Sequence, residues 1–215
     1  MAWNEHLQSA NWLQATGCLL GAYLLGCLAT GYYLVRARTG RDIREIESGS
    51  TGARNVGRVL GKPGFGLTVA GDLAKGALAV WGALAWTHNP HLALLAMLGV
   101  VAGHIWPAPL CWRGGKGAAT SLGALLMFDY RLALTVAALF LAGYVLMRKS
   151  VLPGMFAFAC LPPASLWLAH DAWTTTLTAV LSAMVLFAHR KNCLEEITLW
   201  SARRSVAPKP EIPKL

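Results

Sequence analysis

The feature that most limits how this chain can fold is a series of long apolar blocks separated by short, polar and mostly basic segments. Of its 215 residues, 55% are hydrophobic and only 13% are charged, whereas soluble domains carry roughly twice that charged fraction. An apolar run of about 20 residues is long enough to cross a bilayer as a helix. We therefore predict an all-α, polytopic membrane protein.

Polar breaks divide the apolar blocks into about seven transmembrane or half-membrane helices. The block at residues 65–106 is too long for one helix, and Pro90 with its polar neighbours predicts a turn within it. Residues 129–131 interrupt a later block, and the segment before them is short for a full span. The predicted helices cover residues 16–35, 66–87, 91–106, 118–128, 132–147, 151–169 and 172–188.

The last two helices and the tail carry further signals. Pro153, Pro162 and Pro163 predict a kink or a helix start within the sixth helix. Residues 1–190 are expected to form one membrane domain. Residues 191–215 are expected to form a basic, proline-rich tail.

The distribution of charge predicts the orientation. With the N-terminus outside and the C-terminus in the cytoplasm, nearly all Lys and Arg residues fall on cytoplasmic loops. The exceptions are Arg131, on an outer loop, and Lys75, within a span. Residues 1–14 lack a basic segment and a cleavage site, so the first span should remain as an anchor. The net charge of +9 thus indicates contact with membrane lipids and not with nucleic acid. The five cysteines have no metal-ligand spacing, and no metal is predicted.

A glycine-rich stretch at residues 113–120 is the strongest candidate for a binding site. Glycines at 114, 115 and 117 let the backbone approach a ligand closely, and Arg113 and Lys116 add positive charge. A helix that starts near Gly117 would direct its free N–H groups at the loop. The stretch predicts a phosphate cradle, and the alternative is a flexible basic turn between two helices.

Four other polar groups are expected at the same membrane face or near it. Residues 42–58 combine hydroxyls, glycines and arginines that suit phosphate binding, although composition alone favours a solvated loop. Asp72 and Lys75 share a helix face inside a span, as a structural ion pair or a functional one. His104 could contact a phosphate or a backbone carbonyl. His189 and Asn192 share the face of the last helix and could reach the phosphate loops.

Taken in order, these segments resemble the PlsY family of membrane acyl-phosphate:glycerol-3-phosphate acyltransferases. The family carries the motifs DIR…GSGNxGATNVxR, DxxKG, GHxFP…GGKGxAT and HxxN. Their counterparts here are residues 42–58, 72–76, 103–120 and 189–192. The order, the spacing and the predicted cytoplasmic side all agree across nearly the whole chain.

The resemblance implies a seven-helix fold in the plasma (inner) membrane of a bacterium, with the site facing the cytoplasm. It implies transfer of a fatty acyl group from acyl-phosphate to glycerol-3-phosphate, with no cofactor or metal. The implied catalytic residues are Ser48, Arg58, Lys116, His189 and Asn192, and the supporting ion pair is Asp72 with Lys75. The implied substrate- or phosphate-binding residues are Gly49, Gly52, Asn55, His104, Gly114, Gly115, Gly117 and Thr120.

The chain departs from the family motifs near the first loop. Glu47, Ser50 and Arg54 stand where the family has Gly, Asn and Thr, and residues 193–197 replace its usual ending. Glu47 and Arg54 change the charge next to the predicted phosphate site. A divergent acyltransferase that uses another phosphorylated or hydroxyl acceptor therefore remains an alternative, as does an anion transporter or scaffold.

Overall fold

The computed structural model describes residues 12–205, and it describes side chains for residues 12–198. Regular structure in this part of the chain is entirely helical. Short 3₁₀ turns at Ile43–Glu45 and Ala108–Leu110 lie in two of the connections. The helices are α1 (Trp12–Gly26), α2 (Thr30–Thr39), α3 (Ala53–Thr87), α4 (Pro90–Ile105), α5 (Ala118–Phe128), α6 (Tyr130–Met147), α7 (Val151–Ala159), α8 (Leu161–Trp167) and α9 (Ala172–Ser205).

Five segments of the described chain are long and apolar enough to cross a membrane. Two shorter apolar segments, Ala118–Phe128 and Val151–Trp167, accompany them. The prediction of an all-α, polytopic membrane protein is confirmed. The five long segments are Trp12–Thr39, Ala53–Thr87, Pro90–Leu110, Tyr130–Met147 and Ala172–Thr198.

The second long helix begins earlier than the sequence predicts. The glycine-rich stretch before residue 66 was expected to be a loop, but α3 starts at Ala53 and bends at Gly61, where φ is 68° and ψ is −164°. Val56 is fully buried against Val35 and Ile43. This tertiary contact stabilises a helical turn that the local composition disfavours.

Two other connections differ in detail. The predicted first span is interrupted between α1 and α2, and the last helix extends beyond residue 188 to Ser205. The sixth predicted helix consists of α7 and α8, and prolines occupy the first positions of α8. Pro162 and Pro163 thus start a helix as predicted, because their missing N–H groups need no partner in a first turn.

The backbones of α1 and α4 lie in direct contact. Gly99 and Gly103 lie one helical turn apart on α4, and Gly26 lies opposite on α1. A Cβ added to Gly103 would lie 2.1 Å from the carbonyl oxygen of Tyr23, and one added to Gly26 would lie 2.2 Å from that of Val100. In lipid, where the hydrophobic effect does not drive helices together, such close packing is the main attraction between them.

Two His–Asp pairs lie at the end of the bundle where α5 ends and α6 begins. His91 Nε2 lies 2.9 Å from Asp171 Oδ2, and His170 Nε2 lies 2.9 Å from Asp129 Oδ2. Asp129 also caps α6 by accepting a hydrogen bond from the backbone N–H of Arg131 at 2.8 Å. These contacts connect α4, α6 and the α8–α9 connection at one end of the fold.

The tight α1–α4 contact predicts a specific sensitivity to added volume. Gly103→Val should lower the stability of the folded protein in detergent by about 2 kcal/mol, because the new side chain forces α1 away from α4. Thermal unfolding in micelles measures the effect. Gly82→Val is the matched control, since a Cβ at Gly82 meets nothing within 4 Å. Equal effects of the two substitutions would contradict this account.

Candidate functional site

The loop between α2 and α3, here called the serine loop (residues 42–52), is held against the loop before α5, here called the glycine-rich loop (residues 113–117). Arg44 Nη1 donates to the carbonyl of Leu110 at 2.7 Å, and Arg113 Nη2 donates to the carbonyl of Arg44 at 3.1 Å. The backbone N–H of Thr51 donates to the carbonyl oxygen of Gly114 at 3.3 Å. Segments far apart in sequence therefore form one polar surface.

Within the serine loop, Asp42 fixes the guanidinium of Arg44. The Asp42 carboxylate accepts from Arg44 Nη2 at 2.6 Å and from its Nε at 3.0 Å. These hydrogen bonds lower the pKa of Asp42, and they outweigh the opposite effect of partial burial. The carboxylate therefore remains ionised and keeps Arg44 aimed at Leu110.

Asn55, in the first turn of α3, organises the serine loop from beneath. Its Nδ2 donates to the carbonyls of Ile43 at 3.2 Å, Ile46 at 2.9 Å and Ser50 at 3.0 Å. The residue is 1% exposed. Asn55 lines the cavity described below, and its amide hydrogens are used for shaping the loop that carries Ser48.

Gly114 and Gly115 have a role that differs from the predicted one. Their N–H groups were expected to bind phosphate, but they donate to the carbonyls of Ile105 at 3.2 Å and His104 at 3.0 Å. A Cβ on Gly115 would lie 2.1 Å from His104 Nε2, and one on Gly114 would lie 2.1 Å from the carbonyl oxygen of His104. Glycine is needed here because the loop packs directly on the end of α4.

The free N–H groups lie one step further along the loop. In the described chain, no backbone hydrogen bond is formed by the N–H groups of Lys116 and Gly117, and those in the first turn of α5 lack intrahelical acceptors. Gly117 has a φ of 85°, a conformation that favours glycine. The start of α5 therefore retains the arrangement of an anion-binding helix terminus.

The last helix brings two more predicted residues to this point. Lys116 Nζ donates a hydrogen bond to Asn192 Oδ1. His189 Nδ1 lies 2.9 Å from the carbonyl oxygen of Val185. Since a carbonyl only accepts, Nδ1 carries a hydrogen, and Nε2 of the neutral ring is left as an acceptor.

Arg58 lies at the same cavity on the second turn of α3. Its Nη1 lies 3.5 Å from Glu47 Oε2. Glu47 adopts a φ of 50°, which is unusual for a residue other than glycine. Both side chains are about half exposed, at 49% and 59%, so this pair contributes little stability.

Behind the glycine-rich loop lies a buried ionic cluster. Lys75 Nζ lies 2.9 Å from Asp72 Oδ1 and donates to the carbonyl of Leu28 at 3.0 Å. His104 Nδ1 lies 3.5 Å from the same carboxylate oxygen. Lys75 thus pairs with Asp72 on its own helix. It also donates to the carbonyl of Leu28, which lies in the break between α1 and α2 and has no helical partner in the described part of the chain. The His104 ring of this cluster packs directly against Gly115 of the glycine-rich loop.

One cavity of about 720 Å³ collects most of the predicted residues. The predicted residues that are not part of its lining are Gly49, Gly114, Gly115, Thr120 and Lys75. The predicted residues that line the cavity are Ser48, Gly52, Asn55, Arg58, Asp72, His104, Lys116, Gly117, His189 and Asn192.

The other half of the cavity is apolar, and sequence reasoning did not identify it. It runs between α3, α5, α6 and α7. Its α6 residues are spaced as one helix face, which the sequence could have suggested, but an apolar face alone does not indicate a cavity. The apolar lining includes Phe65, Val69, Leu122, Val136, Phe140, Leu141, Tyr144, Met155 and Phe158.

The polar half of the cavity has a positive field. Burial lowers the pKa of Lys116, the positive charges of Arg54 and Arg58 lower it further, and Glu195 acts in the opposite direction. Arg54 also lines the cavity; in the sequence it is one of the arginines of residues 42–58 and a departure from the family motif. A site that disfavours its own cation is suited to receive an anion, which relieves the repulsion.

The triple hydrogen bonding of Asn55 generates a prediction. Asn55→Ala should destabilise the protein by about 2 kcal/mol, because the serine loop loses the side-chain hydrogen bonds to Ile43, Ile46 and Ser50 that tie it to α3. Thermal unfolding in micelles measures this loss. Asn192→Ala removes a side chain of the same type from the other wall of the cavity without removing a hydrogen bond to the serine loop, and should change stability much less. An equal loss in both variants would be inconsistent with this role.

Comparison with known proteins adds an independent finding. The profile of the glycerol-3-phosphate acyltransferase family matches residues 16–198. Glycerol-3-phosphate acyltransferase 1 of Desulfitobacterium hafniense is 47% identical over 188 residues, which cover 86% of this chain and 92% of the relative. Glycerol-3-phosphate acyltransferase 1 of Bacillus cereus is 37% identical over 173 residues, which cover 80% and 95%.

Solved structures agree with the sequence comparison. The crystal structure of PlsY, an integral membrane glycerol 3-phosphate acyltransferase, in its glycerol 3-phosphate form matches with a TM-score of 0.80 at 27% identity. The match covers 86% of this chain and 92% of that one. The lysophosphatidic acid form of the same protein matches with a TM-score of 0.77 at 26% identity.

Proposed function

The chain belongs to the glycerol-3-phosphate acyltransferase family, and we propose that it transfers a fatty acyl group from acyl-phosphate to a hydroxyl of glycerol-3-phosphate. The products are lysophosphatidic acid and inorganic phosphate. The protein is an integral membrane acyltransferase. The donor, the roles of the site residues and the orientation of the site are the proposed parts.

The observation that carries the proposal is a cavity with two chemically different halves. Arg58, Lys116 and the start of α5 provide cations and free N–H groups at one end, and an apolar channel extends from them. A phosphate joined to a fatty chain has the same division. The carbonyl carbon of such a donor would lie where the two halves meet.

The phosphate end of the site suits an acyl-phosphate donor. An acyl-phosphate is an activated mixed anhydride, and its leaving phosphate needs charge stabilisation more than protonation. Lys116 and the N–H groups of α5 would provide that stabilisation where negative charge develops. Asn192 holds the Lys116 ammonium in position through its side-chain oxygen. Ser48, which lines the same cavity, would donate its hydroxyl hydrogen to a phosphate oxygen.

The acceptor would be bound next to the donor carbonyl. Arg58 would bind the phosphate of glycerol-3-phosphate, and the free Nε2 of His189 would accept a hydrogen bond from the attacking hydroxyl. This contact orients the hydroxyl, and correct orientation of two reactants is itself a large part of catalysis. The hydroxyl oxygen then forms an ester bond with the acyl carbon, the carbon–oxygen bond to phosphate breaks, and the hydroxyl proton leaves on the phosphate.

The proposed orientation places this site at the cytoplasmic face. The serine loop, the glycine-rich loop and the α6–α7 connection carry most of the Arg and Lys residues outside the described spans, at the end of the bundle that holds the cavity. The opposite end has the His–Asp pairs and Arg131. The positive-inside rule then assigns the cavity end to the cytoplasm, where a water-soluble acceptor can reach it.

The proposal is tested with purified protein, palmitoyl-phosphate and glycerol-3-phosphate. We expect release of phosphate and formation of lysophosphatidic acid only when both substrates are present. Lys116→Ala and His189→Ala should each lower kcat/KM by about 10²-fold or more, as expected for groups at the reacting centre. Lys191→Ala, which removes a cation of the same helix outside the cavity, is the control.

Other outcomes would replace the proposal. Turnover of palmitoyl-phosphate only with another hydroxyl acceptor would assign a different acceptor to the same fold. Transfer from acyl-thioesters but not from acyl-phosphate would overturn the donor. No turnover of any acyl donor would favour the transporter or scaffold.

The lowered pKa of Lys116 predicts where kcat/KM falls as the pH rises. The charged ammonium binds phosphate, so kcat/KM for the donor should fall as Lys116 loses its proton. Because burial and Arg54 lower this pKa, half of the activity should be lost below the ordinary lysine value of 10.5. Arg58, Glu195 and His189 are the other titratable groups facing Lys116.

Rate measurements as a function of pH test this assignment. Lys116→Arg keeps its charge at any accessible pH, so the alkaline limb should move upward in this variant whatever its residual activity. Lys191→Arg, which lies outside the cavity, should retain the wild-type profile. An alkaline limb that does not move in Lys116→Arg would assign the titration to another group.

A further inference from the structure

We propose that Arg54 is an acceptor-binding residue: Glu47 pairs with Arg58, and Arg54, on the same helix face, receives the phosphate of glycerol-3-phosphate. This inference rests on the proposed function and identifies a residue outside the set inferred from the family motifs. It assigns a purpose to two charges by which this chain departs from those motifs.

The first observation is the location of Arg54. It lies in the first turn of α3, four residues before Arg58, so the two side chains share a helix face. Both line the cavity together with Lys116. Arg54 is exposed and Lys116 is partly buried. A soluble acceptor that enters from the aqueous side therefore meets Arg54 before it meets Lys116.

The second observation is that Arg54 lacks a partner in the described part of the chain. No hydrogen bond or ion pair engages its guanidinium there. Arg58, by contrast, is 3.5 Å from the Glu47 carboxylate. Of the two arginines on this face, one is neutralised by an internal anion and the other is available.

The third observation is that Arg54 is in an unfavourable place for a cation. The N-terminus of a helix carries partial positive charge, which repels a cation in the first turn. Arg58 at four residues' distance adds a like-charge repulsion. Arg54 also contributes to lowering the pKa of Lys116. A bound dianion would reverse each of these unfavourable terms, since it attracts all three charges.

Glu47 is the second departure from the family motifs, and it competes with the acceptor phosphate for Arg58. Its φ of 50° is a conformation that a non-glycine residue adopts at a cost. Its carboxylate lies 3.5 Å from the Arg58 guanidinium, which would otherwise bind phosphate. Binding of the acceptor to Arg58 must displace Glu47, and this competition weakens the use of Arg58 and increases the reliance on Arg54.

The apolar channel supports assignment of Arg54 to the acceptor and not to the donor. The apolar lining of the cavity comes from α3, α5, α6 and α7, and the donor's chain would lie against it. The donor phosphate is then adjacent to Lys116 and the start of α5. Arg54 at the mouth is left for the second phosphate.

Steady-state kinetics with palmitoyl-phosphate and glycerol-3-phosphate test the inference. Arg54→Gln should raise KM for glycerol-3-phosphate by about tenfold, as expected for loss of a charge-assisted hydrogen bond. It should change KM for the donor by less than about twofold, since the donor phosphate is bound elsewhere. Arg54→Lys should recover most of the acceptor affinity.

Two further variants complete the experiment. Glu47→Gln should lower KM for glycerol-3-phosphate by about two- to threefold, because an exposed ion pair no longer competes for Arg58. Arg38→Gln, which removes an exposed arginine of α2 outside the cavity, should leave both KM values unchanged. Thermal unfolding of each variant checks that the fold is retained, and Arg54→Lys keeps the test informative if Arg54→Gln unfolds.

The outcomes separate this inference from the proposed function. Normal turnover with an unchanged acceptor KM in Arg54→Gln would overturn the role of Arg54 alone. Equal increases in both KM values would also overturn it, because they would indicate a general field and not acceptor binding. An unchanged or higher acceptor KM in Glu47→Gln would overturn the competition for Arg58. Wild-type protein that releases no phosphate on addition of glycerol-3-phosphate would overturn the proposed function itself.

Discussion

The site depends on how closely the glycine-rich loop approaches the carboxyl end of α4. Gly114 and Gly115 place their backbones on His104 and Ile105 at distances that leave no room for a Cβ, and their N–H groups satisfy the last carbonyls of the helix. This contact turns the loop so that Lys116 and Gly117 face the cavity. The buried cluster of Asp72, Lys75 and His104 holds the same region from behind. Moving the loop outward by the size of one methyl group would displace both the ammonium and the start of α5.

The serine loop reaches the same point through polar contacts. Arg44 is fixed by Asp42 and bonds to Leu110, and Asn55 binds three carbonyls of the loop. Such hydrogen bonds act over a short range and have strict geometry, so they set where Ser48 and Arg58 lie relative to Lys116. The apolar contacts of α1 with α4 and of Val56 with its neighbours bring the helices together. The polar contacts then position the groups proposed to perform the chemistry.

Charge at the mouth of the cavity is distributed unevenly, and this is a property of the particular chain more than of its fold. Arg58 is paired with Glu47, Lys116 is held by Asn192, and Arg54 has no partner in the described part of the chain. Each of these side chains could be replaced without changing how the helices pack. Affinity for an anionic acceptor can therefore vary among proteins that share this scaffold.

The sequence by itself determined the class of fold, because the length and apolar character of the blocks leave a helical membrane protein as the solution in which every backbone group is bonded. It also indicated candidate residues for the chemistry, since Ser48, Arg58, Lys116, His189 and Asn192 stand in recognisable segments, and the structure brings them to one cavity. Only the tertiary structure decided that the N–H groups of Gly114 and Gly115 bond to α4, that α3 begins at Ala53, and that Glu47 pairs with Arg58. These features depend on contacts between residues far apart in the chain, and local composition carries no record of them. The apolar channel was hidden for the same reason, because in a membrane protein an apolar face that lines a cavity has the same composition as one that faces lipid.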